Sequence, residues 1–148
     1  HIDLCKVIED ELYKKFPAIL KSKLYNGEIR FPKGTKYVYK AFKAYRCVAR
    51  TKDDMSPVNR QDMRSHPELG RRRPVGISLS DPDWYSTSLN TNLEELRQVL
   101  RFPKPSKKIA CGSVYQEGGP HYIKPGGNHV SWWVYEDLDV SDFVIIED

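Results

Sequence analysis

The chain has few cysteines, few histidines and no long apolar run, and each shortage removes a class of protein. Cys5, Cys47 and Cys111 stand far apart in the 148 residues. An odd, unclustered set fits neither a disulfide framework nor a zinc knuckle. Each has apolar neighbours, so buried free thiols in a reducing, cytoplasmic setting are expected. The internal histidines are His66, His121 and His129, and no HExxH pattern joins them. His129-Val130-Ser131 matches one His-x-Ser/Thr motif of a two-histidine phosphoesterase, but His121-Tyr122-Ile123 does not supply the second. Neither GxxxxGK[ST] nor GxGxxG is present. No neighbouring histidine activates Cys111 as a nucleophile. No stretch is apolar enough to cross a bilayer, so no membrane partner is expected. No signal peptide is visible, and because the chain starts at His1 an upstream segment stays open.

What is present suits one α+β domain over residues 1–148. A helical N-terminal segment (1–35) precedes a β-rich core (36–148) that carries a long loop at 51–75. The net charge of +4 is unevenly spread. Lysine and arginine crowd residues 14–73, while the stretch from Glu136 to Asp148 is acidic. A basic surface suits an anionic partner such as a nucleotide or nucleic acid, and a solvated face gives the same pattern.

Leu4, Cys5, Ile8, Leu12, Phe16, Ile19 and Leu20 recur at helical spacing and predict a helix over 3–20, interrupted at Pro17. Short strands are expected at Ile29 to Phe31, at Tyr37 to Tyr39 and, more strongly, at Ala44 to Arg50. Lys36, Lys40 and Lys43 lie among aromatics, as in a base-stacking platform or a sheet with one wet face. Arg46 sits inside the apolar Ala44 to Arg50 segment and requires either an acidic partner or a phosphate. Residues 51–75 lack apolar periodicity and read as a binding loop or lid, with Arg71 to Arg73 as a phosphate-contacting run. A strand edge is expected at Val75 to Leu79. Strands are also expected at Lys108 to Tyr115, Val130 to Tyr135 and Phe143 to Ile146, with Gln116 to Gly127 as a turn-rich loop. Asn92 or Thr91 caps a helix whose buried face is Leu93, Leu96, Val99 and Leu100.

The stretch that organises the rest is Asp83-Trp84-Tyr85-Ser86-Thr87-Ser88-Leu89-Asn90, three adjacent hydroxyls running into that helix. In order along the chain come a strand with Tyr45-Arg46, the Ser-Thr-Ser strand and helix, an Ile-Ala-Cys-Gly strand with a Gly-Gly loop, a strand ending near Glu136, and a final strand from Phe143. This order resembles the ADP-ribosyltransferase superfamily in its arginine, Ser-Thr-Ser, glutamate branch, over about residues 37 to 146. The resemblance implies an N-terminal helix packed with a mostly antiparallel split β-sheet. It implies NAD as cofactor, and a transferase or NAD glycohydrolase of the toxin or effector kind. Arg46 would hold the phosphates or ribose and Ser86 would brace the site. Thr87 and Ser88 would shape the nicotinamide pocket, while Tyr45 flanks the arginine. Tyr85, Trp132 or Tyr135 would stack on the nicotinamide. Glu136 would hydrogen-bond the adjoining ribose, with Glu117 as the other carboxylate for that role. The family often has Glu or Gln two residues before its catalytic glutamate to orient the acceptor. Here that position is Val134, or Tyr115 if Glu117 is the carboxylate.

Two non-enzymatic readings compete. One is a nucleotide or nucleic-acid module using Lys36, Lys40, Lys43 and Arg71 to Arg73. The other is a protein-binding module anchored by an exposed Trp132 or Trp133.

Overall fold

Pro17 decides where the first described helix begins. The computed structural model describes residues 10–147. Residues 10–13 are helical, and helix α1 (Ala18–Tyr25) starts immediately after the proline. A proline has no N–H to continue the preceding turn, but its carbonyl accepts from Lys21 N at 2.9 Å and opens the next. Phe16, Leu20 and Leu24 are buried, whereas Ile19 is 40% exposed and does not belong to the packed face. Leu4, Cys5 and Ile8 lie outside the described residues.

Six strands follow: β1 (Phe42–Ala49), β2 (Thr87–Asn90), β3 (Lys107–Val114), β4 (His121–Ile123), β5 (His129–Trp132) and β6 (Val144–Glu147). They form one sheet in the order β4-β5-β2-β1-β3-β6, with every pairing antiparallel. Helix α2 (Leu93–Leu100) follows β2. The Asn92 side chain accepts from Glu95 N at 2.9 Å, and Glu94 and Glu95 sit in the positive first turn. The molecule is therefore a single α+β domain.

The pairing of β1 with β2 is the shortest in the sheet. β1 and β3 are in register from Phe42↔Val114 to Ala49↔Lys107, but β1 and β2 are in register only at Tyr45↔Asn90. Each face has its own core. Ala44, Val48, Leu89, Val130 and Trp132 pack with Val58, Met63 and Phe143 on one side. Trp133 and Tyr135 pack with Phe16, Leu20, Leu24, Ile29 and Tyr85 on the other. Adjacent strand residues point to opposite faces, so consecutive tryptophans serve both cores.

Several sequence expectations change. Residues 29–31 and 37–39 are not strands, and only Lys36 bridges to His121. Residues 75–79 form turns rather than a sheet edge, with Val75 at 106% exposure, because among the described residues no strand pairs with them. The loop at 116–127 contains β4, too short for its pattern to register locally. Trp84 and Tyr85 belong to a 3-10 turn at Pro82–Tyr85, so β2 begins only at Thr87. Cys47 and Cys111 are half-buried rather than fully enclosed, and burial raises both thiol pKa values.

Candidate functional site

Arg46 lies on β1 next to Tyr45, the residue that pairs with Asn90 of β2. Its Nε donates to the Asp62 carbonyl at 2.8 Å and its Nη1 to the Ser88 carbonyl at 2.7 Å. Backbone carbonyls are its described partners, not a carboxylate. The second bond crosses from β1 to β2 where the ladder is missing. Desolvation pushes the guanidinium down to about 10. Tyr45 beside it is half-buried and opposes Asn90.

The three hydroxyls diverge. Ser86 Oγ donates to the Asp83 carbonyl at 2.8 Å and to Asp83 Oδ1 at 3.1 Å, and Ser131 Oγ bonds the same carboxylate oxygen. Thr87 is buried on the opposite side and donates to the Met63 carbonyl at 2.5 Å. Ser88 is exposed and shares a 2.6 Å hydrogen bond with His129 Nε2. Tyr85 is buried, with its hydroxyl 3.4 Å from the Leu79 carbonyl.

Glu136 is gripped by Arg64 in a fork, with Nη1 to Oε2 at 2.8 Å and Nη2 to Oε1 at 3.0 Å. The fork holds the Glu136 carboxyl below its usual range and raises the arginine. Arg64 also donates to Glu68 at 2.9 Å, and Arg60 donates to the carbonyls of Tyr135 and Glu136. Glu117 is exposed on the 3-10 turn Gln116–Gly118 and makes no hydrogen bond or ion pair among the described residues.

Residues 62–64 tie these motifs together. Arg46 takes the carbonyl of Asp62, Thr87 takes that of Met63, and the Arg64 side chain takes Glu136. Arg46 and Thr87 therefore share one stretch of backbone and Glu136 pairs with the side chain of the residue that follows it, while Ser86 is turned away toward Asp83. That stretch is firmly built. Asn59 and Asp62 form a capping box around the 3-10 turn Arg60–Met63. Asp62 is also paired by Arg50, with bonds of 2.8 and 2.7 Å. Arg50 further donates to the carbonyls of Ala49, Ser56 and Pro57, so all its N–H groups are used. The first half of the 51–75 loop is thus pinned to the end of β1.

Beyond it, His66 stacks on Trp84 at 4.7 Å between centroids, and Arg71 Nη1 lies 3.1 Å from His66 Nδ1. Burial and the charges of Arg71 and Arg46 lower the His66 pKa, partly offset by Asp83. Sequence reasoning missed Arg50, Asp62, Arg64, His66 and Trp84. The spacing of Asn59 with Asp62 and of Arg64 with Glu68 was the available local signal.

Among the described residues no group of three or more His, Cys, Asp or Glu side chains could hold a metal ion, and no helix is long and apolar enough to cross a membrane. No protein-family model, no curated protein and no solved structure matches the chain.

Proposed function

We propose that the chain is an NAD-dependent ADP-ribosyltransferase or NAD glycohydrolase-like protein of the toxin or effector kind. The observation that carries this reading is that Arg46 and Thr87 bond the carbonyls of residues 62 and 63 while Glu136 pairs with the side chain of Arg64. Arg46 keeps N–H groups beyond its two carbonyl bonds, and these suit phosphate oxygens. Trp84 is half-buried and stacks on His66, whereas Tyr85, Trp132 and Tyr135 are core residues.

In this reading the bond between nicotinamide and its ribose breaks with the electron pair leaving on nicotinamide. Positive charge spreads over C1′ and the ring oxygen, and the Glu136 carboxylate, ionised by its arginine fork, stabilises it. Arg64 must release that carboxylate before it can face a ribose. Val134 is buried and apolar, so nothing polar stands two residues before Glu136 to orient an acceptor. Water as acceptor, the glycohydrolase outcome, fits that position best.

Nicotinamide release from NAD by the purified protein tests the proposal. Release should fall to background in Arg46→Ala and Glu136→Gln. Wild-type release no greater than in both variants sinks it.

A second reading, nucleotide or nucleic-acid binding, draws on the exposure of Lys36, Lys40, Lys43 and Arg71 to Arg73. It predicts binding that weakens steeply with salt, and salt-independent or absent binding rules against it. The protein-interaction reading loses its anchors, since Trp132 and Trp133 are both at 0% exposure.

A further inference from the structure

Where β1 ends beside the start of β3, a cleft of about 340 Å³ opens between the residues that follow β1 and those that lead into β3. Lys52, Lys104 and Lys107 surround it, Pro103 and Pro105 contribute apolar walls, and no acidic residue lines it. None of these three lysine side chains makes a hydrogen bond or ion pair among the described residues. The remaining cations are already engaged. Arg50 is saturated by Asp62 and backbone carbonyls, and the Lys108 ammonium is held by the carbonyls of Lys52 and Asp54 at 3.2 and 3.0 Å. The nearby Asp54 carboxylate is turned to Ser56, which donates to it from both N and Oγ.

We propose that this cleft binds a compact anion carrying two or more closely spaced phosphate groups. Three like charges around one mouth repel each other, and an anion placed among them removes that cost. Lysine is a mobile point charge rather than a planar fork, so it suits oxygens spread over several phosphates better than a single carboxylate. Rigid proline walls limit how far the site can spread. This favours a small ligand over a long nucleic-acid track. The site is independent of the NAD reading, since it shares no residue with Arg46, Thr87 or Glu136.

The test is calorimetric titration of the full chain with inorganic tripolyphosphate at low salt. The wild type should bind, and added sodium chloride should weaken binding. Lys52→Ala, Lys104→Ala and Lys107→Ala should each weaken it about fivefold, and the triple variant should abolish it. Lys124→Ala, on a loop elsewhere, serves as control and should bind as wild type. Lys52, Lys104 and Lys124 are exposed and Lys107 is half-buried, and circular dichroism checks that each variant is folded. ADP against inorganic pyrophosphate separates the sources: tighter ADP binding assigns the proline walls to a nucleoside, and equal binding assigns the site to inorganic phosphates. Three results overturn the proposal: no binding by wild type, an equal loss in Lys124→Ala, or a twelve-nucleotide thymidine strand bound far more tightly than tripolyphosphate.

Discussion

The Arg46 guanidinium donates to the Ser88 carbonyl at 2.7 Å, crossing from β1 to β2 where the two strands are no longer in register. A side chain thus replaces part of the ladder at the centre of the sheet, and a second bond reaches Asp62. Arg46→Ala leaves both carbonyls short of a donor and should cost about 3 kcal/mol. Arg46→Lys, whose single ammonium cannot span both carbonyls, should fall between. Urea unfolding measures this, and a loss below about 1 kcal/mol in Arg46→Ala would show that the bridge is not structural.

Arg50 and Asp62 form an ion pair at 2.7 Å, with side chains only 5% and 9% exposed. Asp62→Ala strands a buried guanidinium and should destabilise by about 3–5 kcal/mol. Residues 62–64 should also lose their anchor. Hydrogen exchange should then speed up at Arg64 N, which bonds the Gln61 carbonyl, while β3 amides keep more of their protection. Unchanged exchange at residue 64 would mean that the segment is held by Arg46 and Thr87 alone.

Glu136 has its pKa lowered by the hydrogen bonds and charge of Arg64. Folding therefore favours the ionised form. The stability from this pair is present above the usual value of 4.5 and is lost as pH falls through the lower folded value. Because the side chain is 54% exposed, solvent screens the pair and the effect should be modest. Wild type should lose stability more steeply than Glu136→Gln from just above pH 4.5 downward. Parallel urea midpoints across that range would contradict the assignment.

Gly119 has φ +139°, and a Cβ there would strike the Trp133 carbonyl. Its own carbonyl accepts from Tyr39 Oη at 2.6 Å and from Trp132 Nε1 at 3.0 Å. Gly119→Ala should cost about 3 kcal/mol or more, since backbone strain and the clash add. It should also alter the near-ultraviolet circular dichroism of the tryptophans. A spectrum and melting temperature matching wild type would refute this.

Elements whose information is local could be read from the sequence. Phe42–Ala49, Lys107–Val114 and Val144–Glu147 carry aromatic and β-branched residues, and Asn92 caps its helix through its own side chain. Arg46 stood out because an arginine inside an apolar strand requires a partner. Which partner it has was not legible. The Asp62 and Ser88 carbonyls are 16 and 42 residues away, and backbone carbonyls carry no sequence signature. The same holds for β4, only three residues long and defined by pairing with β5.

The tertiary structure alone decided how the Ser-Thr-Ser motif is used. Strand alternation sends Ser88 and Thr87 to opposite faces, and the 3-10 turn at Pro82–Tyr85 turns Ser86 back to Asp83. The sequence by itself determined the composition of this corner and the order of the strands around it. Only packing decided that residues 62–64 would lie between Arg46 and Glu136, because Arg50, Arg46 and Thr87 need acceptors that the strands themselves do not provide.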